Sequence, residues 1–229
     1  MRSLVIDRSS GCPGMAVFDG GELVCEREWV GEPSRAPIWI AEMSQALEAC
    51  GIAVAGIGQF VCGLGPGSFS GIRASLSVVQ GMALPGGKPI YGVASAAALA
   101  LGQADGAEFV TVVGDARRNR LWSVTYRIEA ATGKLRLFDG RMPTHSAEDF
   151  MLTPIAELAA TVPAGTRIVT SDWDRLAAVL RVVFSEERMV ARAVFPKAAD
   201  VGRLALAEPG ACVLEPLPVY LHPAVAAKE

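Results

Sequence analysis

Histidine is nearly missing from this chain. It has only His145 and His222, far apart in sequence, so no His-x-x-x-His metal pair can be built. None of the five cysteines (Cys12, Cys25, Cys50, Cys62, Cys212) forms a Cys-x-x-Cys pair that could replace it. Metal-centred catalysis is therefore not expected. An odd number of widely spaced cysteines reads as reduced, mostly buried thiols in a cytoplasmic protein rather than a disulfide framework. An excess of one charge is lacking too. With 21 Lys and Arg against 24 Asp and Glu, the net charge of −3 provides no whole-molecule grip on a phosphate backbone. The longest strongly apolar run, around residues 94–101, falls far short of the ~20 residues that span a bilayer. The opening Met1-Arg2-Ser3 and short Leu4-Val5-Ile6 lack the longer apolar region and cleavage site of a secretory signal. With 51% hydrophobic and 20% charged residues, the 229-residue chain reads as a well-cored globule, one large domain or two small ones.

The first hundred residues give a legible order. Strands are expected at Leu4–Asp7, Met15–Phe18 and Glu22–Trp29, with Asp19-Gly20-Gly21 as a hairpin turn. A helix follows from Pro37, with Ile40, Met43, Leu47 and Cys50 at three- and four-residue spacing, and Gly51 ends it. Then come a strand at Gln59–Cys62, a glycine-rich loop at Gly63–Gly71, a helix to about Leu84 and a strand at Pro89–Val93. A third helix, rich in alanine and leucine, is capped by Ser95. This β-β-β-α-β-α-β-α order is the ribonuclease-H-like α/β layout. From about Ala107 the opening pattern returns, with strands at Phe109–Val113, Leu121–Ile128 and Lys134–Phe138. Asp7 and Asp115 then end equivalent strands, which suggests an internal duplication. The two expected parts are residues 1–104 and a smaller, degenerate 105–229. The latter holds a strand at Arg167–Thr170, a helix at Ala199–Ala207 and an extended tail at Pro218–Leu221.

The loop from Gly63 to Arg73 matches no common phosphate-binding or nucleophile motif. It lacks the Gly-Lys-Ser/Thr end of a Walker loop, has Ser70 where a dinucleotide fingerprint needs glycine, and has Ser68 where G-x-S-x-G needs glycine. Residue chemistry leaves two readings open: an anion cradle, or a tight loop passing close to neighbouring backbone with Ser68 or Ser70 capping the next helix.

The run GPGSFSGIRASLSVVQGMAL resembles the signature of the TsaB family, close to G-P-G-S-F-T-G-L-R before a small, apolar helix. Ile6-Asp7-Arg8-Ser9-Ser10, Val113-Gly114-Asp115-Ala116-Arg117, Phe195-Pro196-Lys197-Ala198 and Pro218-Val219-Tyr220-Leu221 resemble further family segments in the same order. The resemblance implies an actin-like ATPase fold of two duplicated β-β-β-α-β-α subdomains. It also implies a non-catalytic subunit that pairs through its first two helices with a TsaD-type catalytic subunit, or with itself when alone. With a TsaE-type ATPase, that complex transfers threonylcarbamoyl to the tRNA adenosine next to the anticodon. The tRNA is reached indirectly, and no membrane is involved. No cofactor belongs to the chain itself, and ATP or ADP with Mg²⁺ would sit at the complex interface. Interface residues on this reading are Ile38, Trp39, Gly65, Gly67, Ser68, Phe69, Gly71, Arg73, Val78 and Met82. Asp7, Ser9 and Asp115 are the nucleotide-site candidates; equally, the two aspartates could simply end strands and accept turn N–H groups. An independent actin-like ATPase or kinase using Asp7 and Asp115 is the alternative function.

The helix after the loop bears on partner binding. Ile72, Leu76, Val79 and Ala83 form one stripe, Ala74, Val78 and Met82 extend it, Gly81 and Leu84 continue it, and only Arg73 and Gln80 are strongly polar. Such a helix is either enclosed by its own chain or offers a small-residue face to a second protein. Ile38 and Trp39 look like exposed additions to that seam.

Overall fold

The computed structural model describes residues 1–29, 36–129, 132–214 and 216–221. Its first half runs β1 (Arg2–Asp7), β2 (Gly14–Asp19), β3 (Glu22–Glu28), α1 (Ala36–Ala49), β4 (Ile57–Gly63), α2 (Phe69–Ala83), β5 (Ile90–Val93) and α3 (Ser95–Gly102). The second half runs β6 (Phe109–Asp115), β7 (Arg120–Glu129), β8 (Lys134–Leu137), β9 (Met151–Pro154), α4 (Leu158–Thr161), β10 (Arg167–Val169) and α5 (Trp173–Val183). It ends with α6 (Ala198–Ala207) and β11 (Val213–Leu214).

Two mixed sheets result. The first has the order β11-β5-β4-β1-β2-β3, and the second β10-β6-β7-β8 with β9 also on β7. In the first sheet, β1 lies antiparallel to β2 (Leu4 opposite Val17) and parallel to β4 (Leu4 opposite Phe60). Its residues 3–7 are all buried, which is why it reads as an unbroken apolar run rather than an alternating one. Right-handed crossovers from β3 to β4 and from β4 to β5 put α1 and α2 on one face of this sheet. The other face meets α6, and α3 packs between α6 and the second sheet. All of Ser95–Ala100 is buried, as a helix apolar on every side requires. α4 and α5 close the far face of the second sheet, with Leu158, Leu176 and Leu180 against Val113 and Leu121. Strands β6 to β10 make up the second sheet, while α6 and β11, later in the chain, return to the first one.

Three local expectations are corrected. Cys25 of β3 and Cys50 after α1 form a disulfide, so not all five cysteines are free thiols; Cys12, Cys62 and Cys212 are. The core stripe of α1 is Trp39, Met43 and Leu47, whereas Ile40 is 40% exposed. Ser95 does not cap α3: the cap position is Ala94, and Ser95 Oγ instead accepts the Gly65 N–H at 2.9 Å.

Candidate functional site

The glycine-rich loop works as a fastener. Ser68 is the N-cap of α2 and accepts the Gly71 N–H at 3.2 Å through Oγ, while its own N–H donates to the Ser9 carbonyl at 2.7 Å. Gly67 and Gly71 press against the Ser9 and Arg8 carbonyls so closely that a Cβ at either position would overlap them. With Gly65 held by Ser95, three N–H groups of the loop are already satisfied inside the protein rather than free for an anion. The tail joins the same corner, where the Val219 N–H donates to the Leu64 carbonyl at 3.0 Å. Arg73 lies 3.8 Å over the Phe69 ring and donates from Nε to the Tyr220 hydroxyl at 2.7 Å.

Below this corner, a cleft of about 990 Å³ opens between the halves. Ser9, the loop, α3 and the tail line one side; Asp115, Arg117, Trp122 and Arg175 line the other. Asp7 and Asp115 make the same local turn: each Oδ1 accepts the N–H two residues on, from Ser9 at 2.8 Å and from Arg117 at 2.7 Å. Their surroundings differ. Asp7 is fully buried and does not line the cleft. Burial pushes its carboxyl pKa up, and hydrogen bonding from Ser95 and Ser9 pulls against that shift. Its Oδ2 has no partner within hydrogen-bond distance. Asp115 reaches the cleft but is engaged by Arg117 at 3.0 Å and Arg175 at 3.7 Å, and its own N–H donates to Asp172 Oδ2 at 2.9 Å. A magnesium nucleotide held between Asp7 and Asp115 does not fit this arrangement, because one carboxylate is walled off and the other is neutralised. Among the described residues, no group of three or more His, Cys, Asp or Glu side chains could hold a metal ion.

The helix-borne candidates lie elsewhere. α2 buries Ile72, Leu76, Val79 and Ala83, keeps Val78 and Met82 half-buried, and exposes Phe69, Arg73, Ser77, Gln80, Gly81 and Leu84. Its own chain therefore covers one face only. Trp39 is not on an exposed seam. It is fully buried, edge-on to Trp29 at 6.1 Å, with the Arg8 guanidinium 4.4 Å over its ring. The side chain of Ile38, and His222, lie outside the described residues. Sequence reasoning missed Trp122, Arg175 and Asp172 in the cleft. The Trp173, Leu176, Leu180 spacing of α5 was the available signal for Arg175; Trp122 carried none.

Two sheets of this order, joined around a shared helical layer with a cleft between the halves, define the ribonuclease-H-like, actin-like ATPase class of fold. The family model described as TsaD, tRNA N6-adenosine threonylcarbamoyltransferase, matches residues 38–137. The Escherichia coli tRNA threonylcarbamoyladenosine biosynthesis protein TsaB is 28% identical over 129 residues, 56% of this chain and 55% of that one. The chain thus spans about half the length of this curated relative in the alignment. YeaZ from Pseudomonas aeruginosa superposes with a TM-score of 0.77 at 25% identity, covering 96% of this chain and all of that one (100%). A second Pseudomonas aeruginosa structure, described as similar to peptidase YEAZ, gives 0.73 at 25% identity over 96% and 99% of the two chains. The chain is thus similar to TsaB and YeaZ proteins, in structure over nearly its whole length.

Proposed function

We propose that this chain is a non-catalytic scaffold subunit that binds a TsaD-type catalytic subunit. With a TsaE-type ATPase, it supports transfer of threonylcarbamoyl to the tRNA adenosine next to the anticodon. The observation that carries this reading is the outer face of α2. Ser77 and Gly81 let another backbone approach closely, and Val78, Met82 and Leu84 supply apolar area around them. Ile40 on α1, on the same side of the sheet, adds to that surface. When the chain is alone, the same face pairs two copies. Phe69 and Arg73 belong to this interface, while Gly65, Gly67, Ser68 and Gly71 support it by anchoring the start of α2. ATP or ADP with Mg²⁺ binds where the partners meet. The chain acts in the cytoplasm and reaches tRNA through the complex.

Gly81→Arg places a long charged side chain on the proposed seam without entering the core, since nothing lies near a Cβ there. We expect it to abolish co-elution with the TsaD-type subunit on size exclusion without lowering the melting temperature. Depleting the protein should lower tRNA threonylcarbamoyladenosine by nucleoside mass spectrometry. Normal modification in depleted cells would refute the assignment. The rival reading, an independent ATPase, requires micromolar Mg-ATP binding by the isolated chain in calorimetry.

A further inference from the structure

We propose that Cys25 and Cys50 form a reversible redox site, opened by a dithiol reductant, that sets how tightly the last turn of α1 is held to β3. The bond ties the edge strand of the first sheet to the end of α1. Both redox states fit the surrounding structure. Trp39, Met43 and Leu47 are buried and anchor α1 by themselves, so opening the bond leaves the helix docked. Cys25 Sγ lies 3.9 Å from the Ala46 carbonyl, which can accept the thiol proton once the bond opens. The end of α1 has no comparable anchor. Glu48, Ala49, Cys50 and Gly51 are all exposed. Besides the disulfide, they are held by backbone hydrogen bonds alone, among them the Gly51 N–H to the Glu48 carbonyl at 2.9 Å.

Access decides how the site opens. Cys50 is exposed and Cys25 buried, so a reductant thiolate attacks Cys50 Sγ. The Cys25–Cys50 bond breaks, Cys25 leaves as a thiolate and takes a proton from water. The second thiol of the reductant then displaces Cys50, leaving two protein thiols and an oxidised dithiol. Glutathione disulfide reverses the exchange. The other cysteines stay out of it. Cys12 and Cys62 are buried and Cys212 is half-buried. Burial raises all three thiol pKa values, that of Cys212 to about 11, so little nucleophilic thiolate exists at neutral pH. Cys50 closes the C-terminal end of α1, where the helix dipole disfavours a thiolate, unlike the reactive cysteines of redox catalysts. The pair therefore responds to oxidation rather than passing it on. The regulatory sense rests on the cytoplasmic reading above: thiols there rest reduced, so a pair poised to close is a sensor rather than a permanent staple.

The test uses the isolated full chain, with thiols counted by alkylation in denaturant after native incubation. Glutathione disulfide should leave three free thiols and dithiothreitol all five, with the pair mapped by peptide mass spectrometry. Far-UV circular dichroism should be retained on reduction. Amides 48–52 should then exchange about tenfold faster or more, while those of buried α3 stay unchanged. Cys50→Ser should match the reduced chain and ignore dithiothreitol, and Cys212→Ser should behave as the wild type. If Cys50→Ser does not fold, exchange in the reduced wild type decides. The proposal is overturned if native dithiothreitol cannot open the bond, if reduction unfolds the chain, or if glutathione disulfide fails to close this pair. Equal exchange of amides 48–52 in both states also overturns it. No partner enters these measurements, so failure of the scaffold reading leaves them unaffected.

Discussion

Gly71 and His145 show how single residues carry consequences far from any reacting group. A methyl at Gly71 would overlap the Arg8 carbonyl and the cap of α2, so Gly71→Ala should destabilise the chain by about 2 kcal/mol in urea unfolding. His145 is buried, and its Nδ1 accepts the Ala94 N–H at 3.3 Å. Burial lowers its pKa from 6.5 to about 4. Above pH 6.5 the imidazole is neutral in both folded and unfolded chains and contributes nothing. Below that, the unfolded chain binds a proton that the folded chain refuses, so stability falls until about pH 4, by about 3 kcal/mol in all. Asp7 and Asp200, whose carboxyls are raised by burial, act in the opposite direction, so the effect is read as a difference between variants. His145→Asn keeps an acceptor and tolerates φ +53°. Its melting temperature should fall less than the wild type's between pH 6.5 and pH 4. Equal slopes would disprove it. At this scale the Ser68 cap and the Asp7 turn were legible because they are local. The Cys25–Cys50 pairing joins distant segments, and spacing does not encode it.

Among the elements, α2 gave the clearest pattern and α1 the most misleading one. The α2 stripe of Ile72, Leu76, Val79 and Ala83 is the buried face. In α1, Trp39 and Ile40 are adjacent apolar residues about 100° apart, and periodicity alone does not choose between them. Trp29 and Arg8 settle the choice by giving the larger ring a pocket. Removing that ring, as Trp39→Ala, should cost about 3–5 kcal/mol. On the open face of α2, Gly81→Ala should stabilise the isolated chain by up to about 1 kcal/mol, because nothing lies near the added methyl. If the face packs closely on a partner, that same methyl weakens pairing. A variant that melts higher and still pairs with undiminished affinity would contradict the close approach proposed there.

For the whole molecule, the decisive feature is the return of α6 and β11 to the first sheet. Arg136 of β8 makes two hydrogen bonds to Glu208, just after α6, at 2.8 and 3.1 Å, tying the second sheet to this returning segment. Both side chains are mostly buried, at 22% and 20% exposure. Glu208→Gln should therefore lower stability by about 1 kcal/mol, with the loss shrinking in high salt.

The sequence by itself determined the local order: the meander, the crossover helices, the cap of α2, the repeated aspartate turn, and the motif that resembles the TsaB signature. Each depends on residues close together in the chain, where hydrophobic period and turn chemistry act directly. Only the tertiary structure decided that Trp39 is core, that Asp7 is sealed from the cleft while Asp115 is neutralised in it, and that α3 is buried between two sheets. Those outcomes depend on which distant surfaces exclude water together. Burial, rather than residue type, is what separates the two equivalent aspartates.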